Sequence, residues 1–207
     1  MTEPSTKDQV RKEFLEHVKD HVMTVVRDDG INRHLRFQKG DSSVFWFDII
    51  TWDGCLCIRG DCGTYLFSRI PDMFQFFRMD KQDFNYSKDS PLQINTAYWR
   101  EKCIAEDPAS GTLEFTETYF RQYIETHFND YYDGPENERA SVWAAIEEDV
   151  LRAENEYEAH EKLRDFSFKG FEFGDSWEYH LKTYTYHYLW CCYAIAWAIQ
   201  KYDNSKL

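Results

Sequence analysis

Cys55, Cys57 and Cys62, spaced C-x-C-x4-C, are the most metal-like feature of the chain. On a strand, Cys55 and Cys57 face the same side, and Cys62 follows in the next turn. A structural zinc site needs four soft ligands, usually as two close pairs. No second CxxC or HxxxH lies nearby, so three small apolar residues of a β core are the simpler reading. His180 and His187, seven apart with Tyr184 between them, would share one face of a helix and could make an acid–base or metal site. Hydrogen-bonded core histidines are the commoner use of that pattern. His17 and His21 are four apart, but no carboxylate completes an HExxH motif around them. Asp48 and Asp53 flank a β-rich run; a nuclease pair would also need a third acid and a lysine at suitable spacing. The sequence has no GxSxG, no P-loop signature and no GxGxxG. Arg59-Gly60-Asp61 reads as a tight turn. The sequence assigns no catalytic residue, no metal ligand and no cofactor.

Charge is more informative. The 207 residues carry 37 acidic and 24 basic side chains, a net charge of −13. Residues 101–165 hold 18 of the acidic and six of the basic residues, a net of −12. That balance disfavours direct binding to nucleic acid, whose phosphates it would repel. Within the stretch, Glu147, Glu154, Glu158, Glu161 and Asp165 follow offsets that place them on one stripe of a continuous helix. Glu154–Glu158 and Glu158–Glu161 are then like-charge neighbours, each costing on the order of 0.2–0.5 kcal/mol. A stripe that repels itself either is tolerated as a solvated face or has a cationic partner. Spaced carboxylates of this kind can imitate a row of phosphates. Aromatic residues make up 18% of the chain, enough for a core and for an aromatic protein–protein surface.

Hydrophobic periodicity supplies the elements that position these groups. Lys7 to about Arg27 reads as an amphipathic helix through Val10, Phe14, Val18, Val22 (or His21) and Val25, capped by Ser5 or Thr6 and stopped at Asp28-Asp29-Gly30. From His34 the period changes to two. Asp53-Gly54 is a strong hairpin signal between Ser43–Trp52 and Cys55–Arg59, and Gly60-Asp61 turns the chain into a further strand, Gly63–Arg69. Ile70-Pro71-Asp72 opens a short helix. Residues 80–112 read as a covering loop with a short helix. Helices are then expected from Thr112 to near Asp133-Gly134-Pro135, from Asn137 to about Arg164, and from Asp175 or Ser176 to Tyr202. The last is apolar on nearly every side over Leu189–Ile199, which predicts a buried central helix. The predicted fold is one α+β domain over residues 1–207. It has an N-terminal helix, a three- to four-stranded antiparallel meander in the sheet half (about 1–100), and a C-terminal helical bundle packed on the sheet in the acidic half (about 101–207).

No run of 18 apolar residues exists, so no membrane span is expected. The N-terminal sequence MTEPSTKDQV lacks a basic-then-apolar leader, which predicts a cytoplasmic chain with reduced thiols.

Two segments resemble a family of phage- and prophage-encoded accessory proteins: SSVFWFDIITWDGCLCIRGDCGTYLFSRIPDMFQFFR, ending at Arg78, and DSWEYHLKTYTYHYLWCCYAIAWAIQKYD, ending at Asp203. Together they cover about a third of the chain. The resemblance carries no established active site. It implies a non-enzymatic protein, in the host cytoplasm, that inhibits a bacterial defence complex of the restriction or CRISPR type. Combined with the charge pattern, it makes Glu147, Glu154, Glu158, Glu161 and Asp165 candidate partner-binding residues. The partner would be a host protein or nucleoprotein complex with a basic surface, and a homodimer is compatible with the pattern. The alternatives are a small enzyme built on Cys55/Cys57/Cys62 or His180/His187, and a structural phage component.

Overall fold

Lys7–Val18 forms helix α1, with Val10, Phe14 and Val18 buried along one side. The helix stops there, and the chain re-emerges as strand β1, Val22–Asp29. Val22 and Val25 keep the helical spacing of α1, but they belong to a β-branched run whose χ1 stiffness favours extended backbone. The computed structural model describes residues 7–78 and 92–206. The expected Ser5 or Thr6 cap, and residues 80–91 of the expected loop, lie outside the described residues.

Five further strands follow: β2 (Asn32–Gln38), β3 (Phe47–Trp52), β4 (Cys55–Gly60), β5 (Gly63–Ser68) and β6 (Cys103–Ala105). They pair in sequence order with β1 as a six-stranded antiparallel sheet. The sheet thus exceeds the expected three or four strands by β1 and β6. Asp53-Gly54 forms the two-residue loop that pairs Trp52 with Cys55, and Gly54 takes a φ of 70°. The next loop is Asp61-Cys62 rather than Gly60-Asp61, because Gly60 pairs with Gly63. Gly60 is required there: a Cβ would lie 2.8 Å from Phe47 Cα.

Alternation sorts the two faces of the sheet. Leu35, Phe37, Phe47, Ile49, Leu56, Ile58, Tyr65 and Phe67 are all buried on one face. The C-terminal helix, Tyr186–Ser205, belongs to this cluster. Its rings interlock with those of the sheet and α1: Trp190 edge-on to Phe47 at 5.6 Å and to Phe14 at 5.1 Å, and Trp197 against Phe37 at 5.3 Å. The helix is as thoroughly buried as its composition predicts. It starts at Tyr186, where Thr185 accepts from the Tyr188 N–H, and not at Asp175 or Ser176. Two short helices, α2 (Met73–Phe77, capped by Asp72) and α3 (Thr96–Glu101, capped by Asn95), add Phe74, Phe77 and Trp99 to the same core.

The chain divides into two compact units, the second made by residues Leu113–Thr183. This insert has its own core of Phe120, Ile124, Phe128, Val142, Ile146, Leu163 and neighbouring residues. It opens on strand β7 (Leu113–Phe115) and continues through α4 (Glu117–Tyr131), α5 (Glu136–Glu148) and α6 (Glu156–Asp165). A small hairpin of β8 (Ser167–Phe168) and β9 (Phe171–Glu172) and a single 3-10 turn, Ser176–Glu178, follow. Strand β10 (Lys182–Tyr184) then pairs with β7. Where one helix was expected from Asn137 to Arg164, α5 and α6 are separate. Asp149 ends α5, and Val150–Arg152 is a 3-10 turn. Asn155 then starts α6 by accepting from the Glu158 N–H at 3.0 Å, while Glu158 accepts from the Glu154 N–H at 3.0 Å. That reciprocal arrangement is a close variant of the capping box. Among the described residues, no helix is long and apolar enough to cross a membrane.

Candidate functional site

The break between α5 and α6 dissolves the expected five-carboxylate stripe. Glu147 lies at the end of α5, Glu154 in the connector, and Glu158, Glu161 and Asp165 on α6. Several of the five also have partners inside the insert. Arg121 reaches Glu147 at 2.7 Å, Lys162 lies 3.8 Å from Glu158, Tyr157 donates to Glu161 at 2.9 Å, and Arg164 grips Asp165 through Nε and Nη2. What survives is a charge imbalance of the whole unit. Residues 113–183 contain 18 acidic and seven basic side chains, a net of −11, while the other 136 residues hold 19 and 17. Pairing every base of the insert would still leave eleven carboxylates without an internal cation.

Two large aromatic side chains stand out of this acidic unit. Trp177 and Tyr157 are each 73% exposed. With His160, Glu161, Arg164 and Ser176 they line a shallow pocket of about 340 Å³. Tyr157 is in the first turn of α6, one turn before Glu161. Trp177 sits at the centre of the 3-10 turn, immediately after Asp175 (in the left-handed region, φ 49°) and the buried Ser176. That turn is held from both ends. The His160 ring meets the Ser176 carbonyl through Nδ1 at 3.0 Å. The Tyr179 hydroxyl donates to the Gly174 carbonyl at 2.8 Å and meets His127 Nε2 at 2.7 Å. A hydroxyl has one proton, so His127 donates here from Nε2. Burial holds the His127 pKa below the usual imidazole value, which matches a neutral ring in that role.

The other candidate clusters do not assemble. Cys55 and Cys57 lie on the sheet face opposite the core, whereas Cys62 is buried in the core with its carbonyl accepting from the Cys191 thiol at 3.5 Å. The C-x-C-x4-C spacing is therefore split across the sheet. Burial pushes the Cys62 thiol up to about 12 and Cys103 up to about 11, and also raises Cys57, Cys191 and Cys192, so these sulfurs stay protonated and poorly nucleophilic. His180 and His187 are not on one helix: His180 precedes β10 in the insert, and His187 is an exposed residue of the C-terminal helix. His17 and His21 do not share one helix, since α1 ends at Val18, and His21 meets the Phe45 carbonyl through Nε2 at 3.0 Å. His17 Nδ1 accepts from the Trp190 indole at 3.3 Å, and its ring stacks on Phe45 at 3.7 Å. Among the described residues, no group of three His, Cys, Asp or Glu side chains is placed to hold a metal ion.

Asp48 has a different role from the one its pairing with Asp53 suggested. It is fully buried in the centre of the sheet, on the face away from the C-terminal helix. Register places it between Arg36 of β2 and Arg59 of β4. Arg36 binds it through Nε and Nη2 at 2.8 and 3.0 Å, and Arg59 binds Oδ2 through Nε and Nη2 at 3.1 and 2.9 Å. His34 Nε2 lies 3.2 Å from the same oxygen but is not aligned as a donor. Both guanidiniums also lie against the Trp46 ring, at 5.4 and 5.7 Å. Burial alone would raise the Asp48 pKa; hydrogen bonds from Arg36 and Arg59 outweigh it and hold the carboxyl below the ordinary aspartate range. The cluster satisfies itself and locks the register of three strands.

The residues of the insert pocket carry no motif. Trp177, within Asp175-Ser176-Trp177-Glu178, is a large apolar ring in an otherwise polar turn, and that incongruity is its only signal in the sequence. Comparison with family models, curated proteins and solved structures found no match.

Proposed function

We propose that the chain is a non-enzymatic binding protein whose insert, residues 113–183, docks on a cationic macromolecular surface. The observation that carries this reading is the segregation of charge: a net of −11 on a self-contained unit of 71 residues, against −2 on all the rest. Internal pairing cannot consume that excess, and exposed aromatics stand within it. Long-range carboxylates speed encounter with a positive partner, and desolvated rings slow its departure. The phage-family resemblance extends the reading to a bacterial defence complex as the cationic partner, inhibited stoichiometrically by occlusion. The Asp48–Arg36–Arg59 cluster of the sheet unit, one carboxylate between two guanidiniums, is no part of this acidic face.

The test uses the full chain with polylysine as a cationic probe. Binding should weaken steeply as salt rises, because each screened carboxylate removes part of the attraction. Glu147→Lys, Glu154→Lys and Glu161→Lys together should cut affinity by at least tenfold at low salt. Glu158 is left unchanged because it caps α6. Salt-independent binding, or full affinity in the triple variant, would overturn the proposal.

A further inference from the structure

The geometry points to the Tyr157–Trp177 pocket as the seat of an arginine side chain from the cationic partner; this rests on the reading that the insert binds such a partner. Four observations meet at this place. First, the two rings line one pocket while each remains 73% exposed, so most of their surface is open to an incoming group. Second, Glu161 lines the same pocket, and its Oε1 already accepts from the Tyr157 hydroxyl at 2.9 Å. That bond fixes the carboxylate and leaves Oε2 for an incoming N–H donor; the same contact raises the Tyr157 pKa and keeps the phenol protonated. Third, the positive group within the pocket is already engaged: Arg164 is held by Asp165 at 2.8 and 3.1 Å. Fourth, the backbone of the turn that carries Trp177 is held before any ligand arrives. His160 ties α6 to the 3-10 turn through the Ser176 carbonyl, and Tyr179 pins the far end of the turn. A backbone already held in place reduces the entropy lost on binding.

Guanidinium fits this set better than ammonium. It is planar, weakly hydrated, stacks on indole and phenol faces, and presents several N–H groups to one carboxylate. A lysine ammonium would satisfy the carboxylate but remain strongly hydrated beside two apolar faces. The partner chemistry is thus an exposed arginine on a basic macromolecular surface.

The experiment uses the full chain and three capped pentapeptides, Gly-Gly-X-Gly-Gly, where X is arginine, lysine or citrulline. The NMR signal of the Trp177 indole N–H reports binding. The arginine peptide should shift that signal and saturate, with affinity at least about tenfold above that of citrulline, its neutral isostere, and clearly above that of lysine. Trp177→Ala, followed through the α6 amide signals, should abolish arginine-peptide binding. Glu161→Gln should weaken it several-fold. Equal binding of arginine and citrulline peptides, equal binding of lysine, or undiminished binding to Trp177→Ala would each overturn the assignment. Polylysine separates this failure from that of the underlying reading. Salt-sensitive polylysine binding with a silent pocket removes only the arginine site. Absence of polylysine binding removes the docking function itself.

Discussion

In the sheet unit, one aspartate is drawn wholly out of water and shared by two arginines; in the insert, carboxylates stand at the surface and outnumber the available cations by eleven. The distinction follows from backbone geometry. Adjacent antiparallel strands hold opposed side chains at a fixed spacing, so Arg36, Asp48 and Arg59 fall into one row across three strands and stay there. Helical carboxylates have no such row. They meet cations only where another helix or turn brings one, as Arg121 does for Glu147. The sheet therefore turns charge into register, while the insert leaves charge available to a partner.

The comparison breaks most visibly if the sheet cluster is stripped of its cations. Arg36→Met with Arg59→Met leaves Asp48 buried and unpaired, and an uncompensated buried charge costs on the order of 3–5 kcal/mol. Asp48→Asn should cost less, because both guanidiniums are part-exposed and can turn to water. Urea unfolding of the three proteins checks the order; a double arginine variant as stable as Asp48→Asn would show that the carboxylate is not held by its partners. The pH dependence has a definite sign. A carboxyl whose folded pKa lies below its unfolded value stabilises the protein above the unfolded pKa, near 3.9, and loses that contribution as pH falls through the folded value. Acid unfolding of the native chain below about pH 4 should therefore be steeper than that of Asp48→Asn.

Half of this cluster is legible in the sequence. The Asp53-Gly54 hairpin sets the register that puts Asp48 opposite Arg59, and alternation from His34 to Gln38 puts Arg36 on the same type of face. The pairing of Arg36 with Asp48 is not legible, because an eight-residue connection separates their strands. Burial of the C-terminal helix shows plainly in its composition. The end of α1 does not: Val18, Val22 and Val25 satisfy both a helical and an extended reading, and only strand pairing decides. The acidic stripe fails for a related reason. Offsets of 3.6 residues describe a stripe only while the helix is unbroken, and the stop at Asp149 and restart at Asn155 shift everything after them.

That restart can be sharpened into a measurement. Asn155→Ala removes the acceptor for the Glu158 N–H and should cost about 1 kcal/mol of stability. The loss belongs to the insert, so amide exchange should quicken over α6 while the sheet strands keep their protection. Uniform loss of protection in both units would mean that they unfold as one and that the insert has no stability of its own.

The smallest expected effect on stability is the most discriminating for function. Trp177→Ala removes a ring that is mostly in water, so its cost should stay within about 0.5 kcal/mol. The Ser176 and Tyr179 anchors of the turn remain in place. A residue that hardly affects folding yet governs binding is the signature of an exposed hot spot. Trp190, by contrast, is fully buried between Phe14 and Phe47, and its truncation should cost about 3–5 kcal/mol. Thermal melts of the two alanine variants place the two tryptophans on one scale. Were Trp177→Ala to lower the melting temperature as Trp190→Ala does, the exposed ring would be a structural element, and the contrast between a tryptophan packed in the sheet unit and one displayed by the insert would fail.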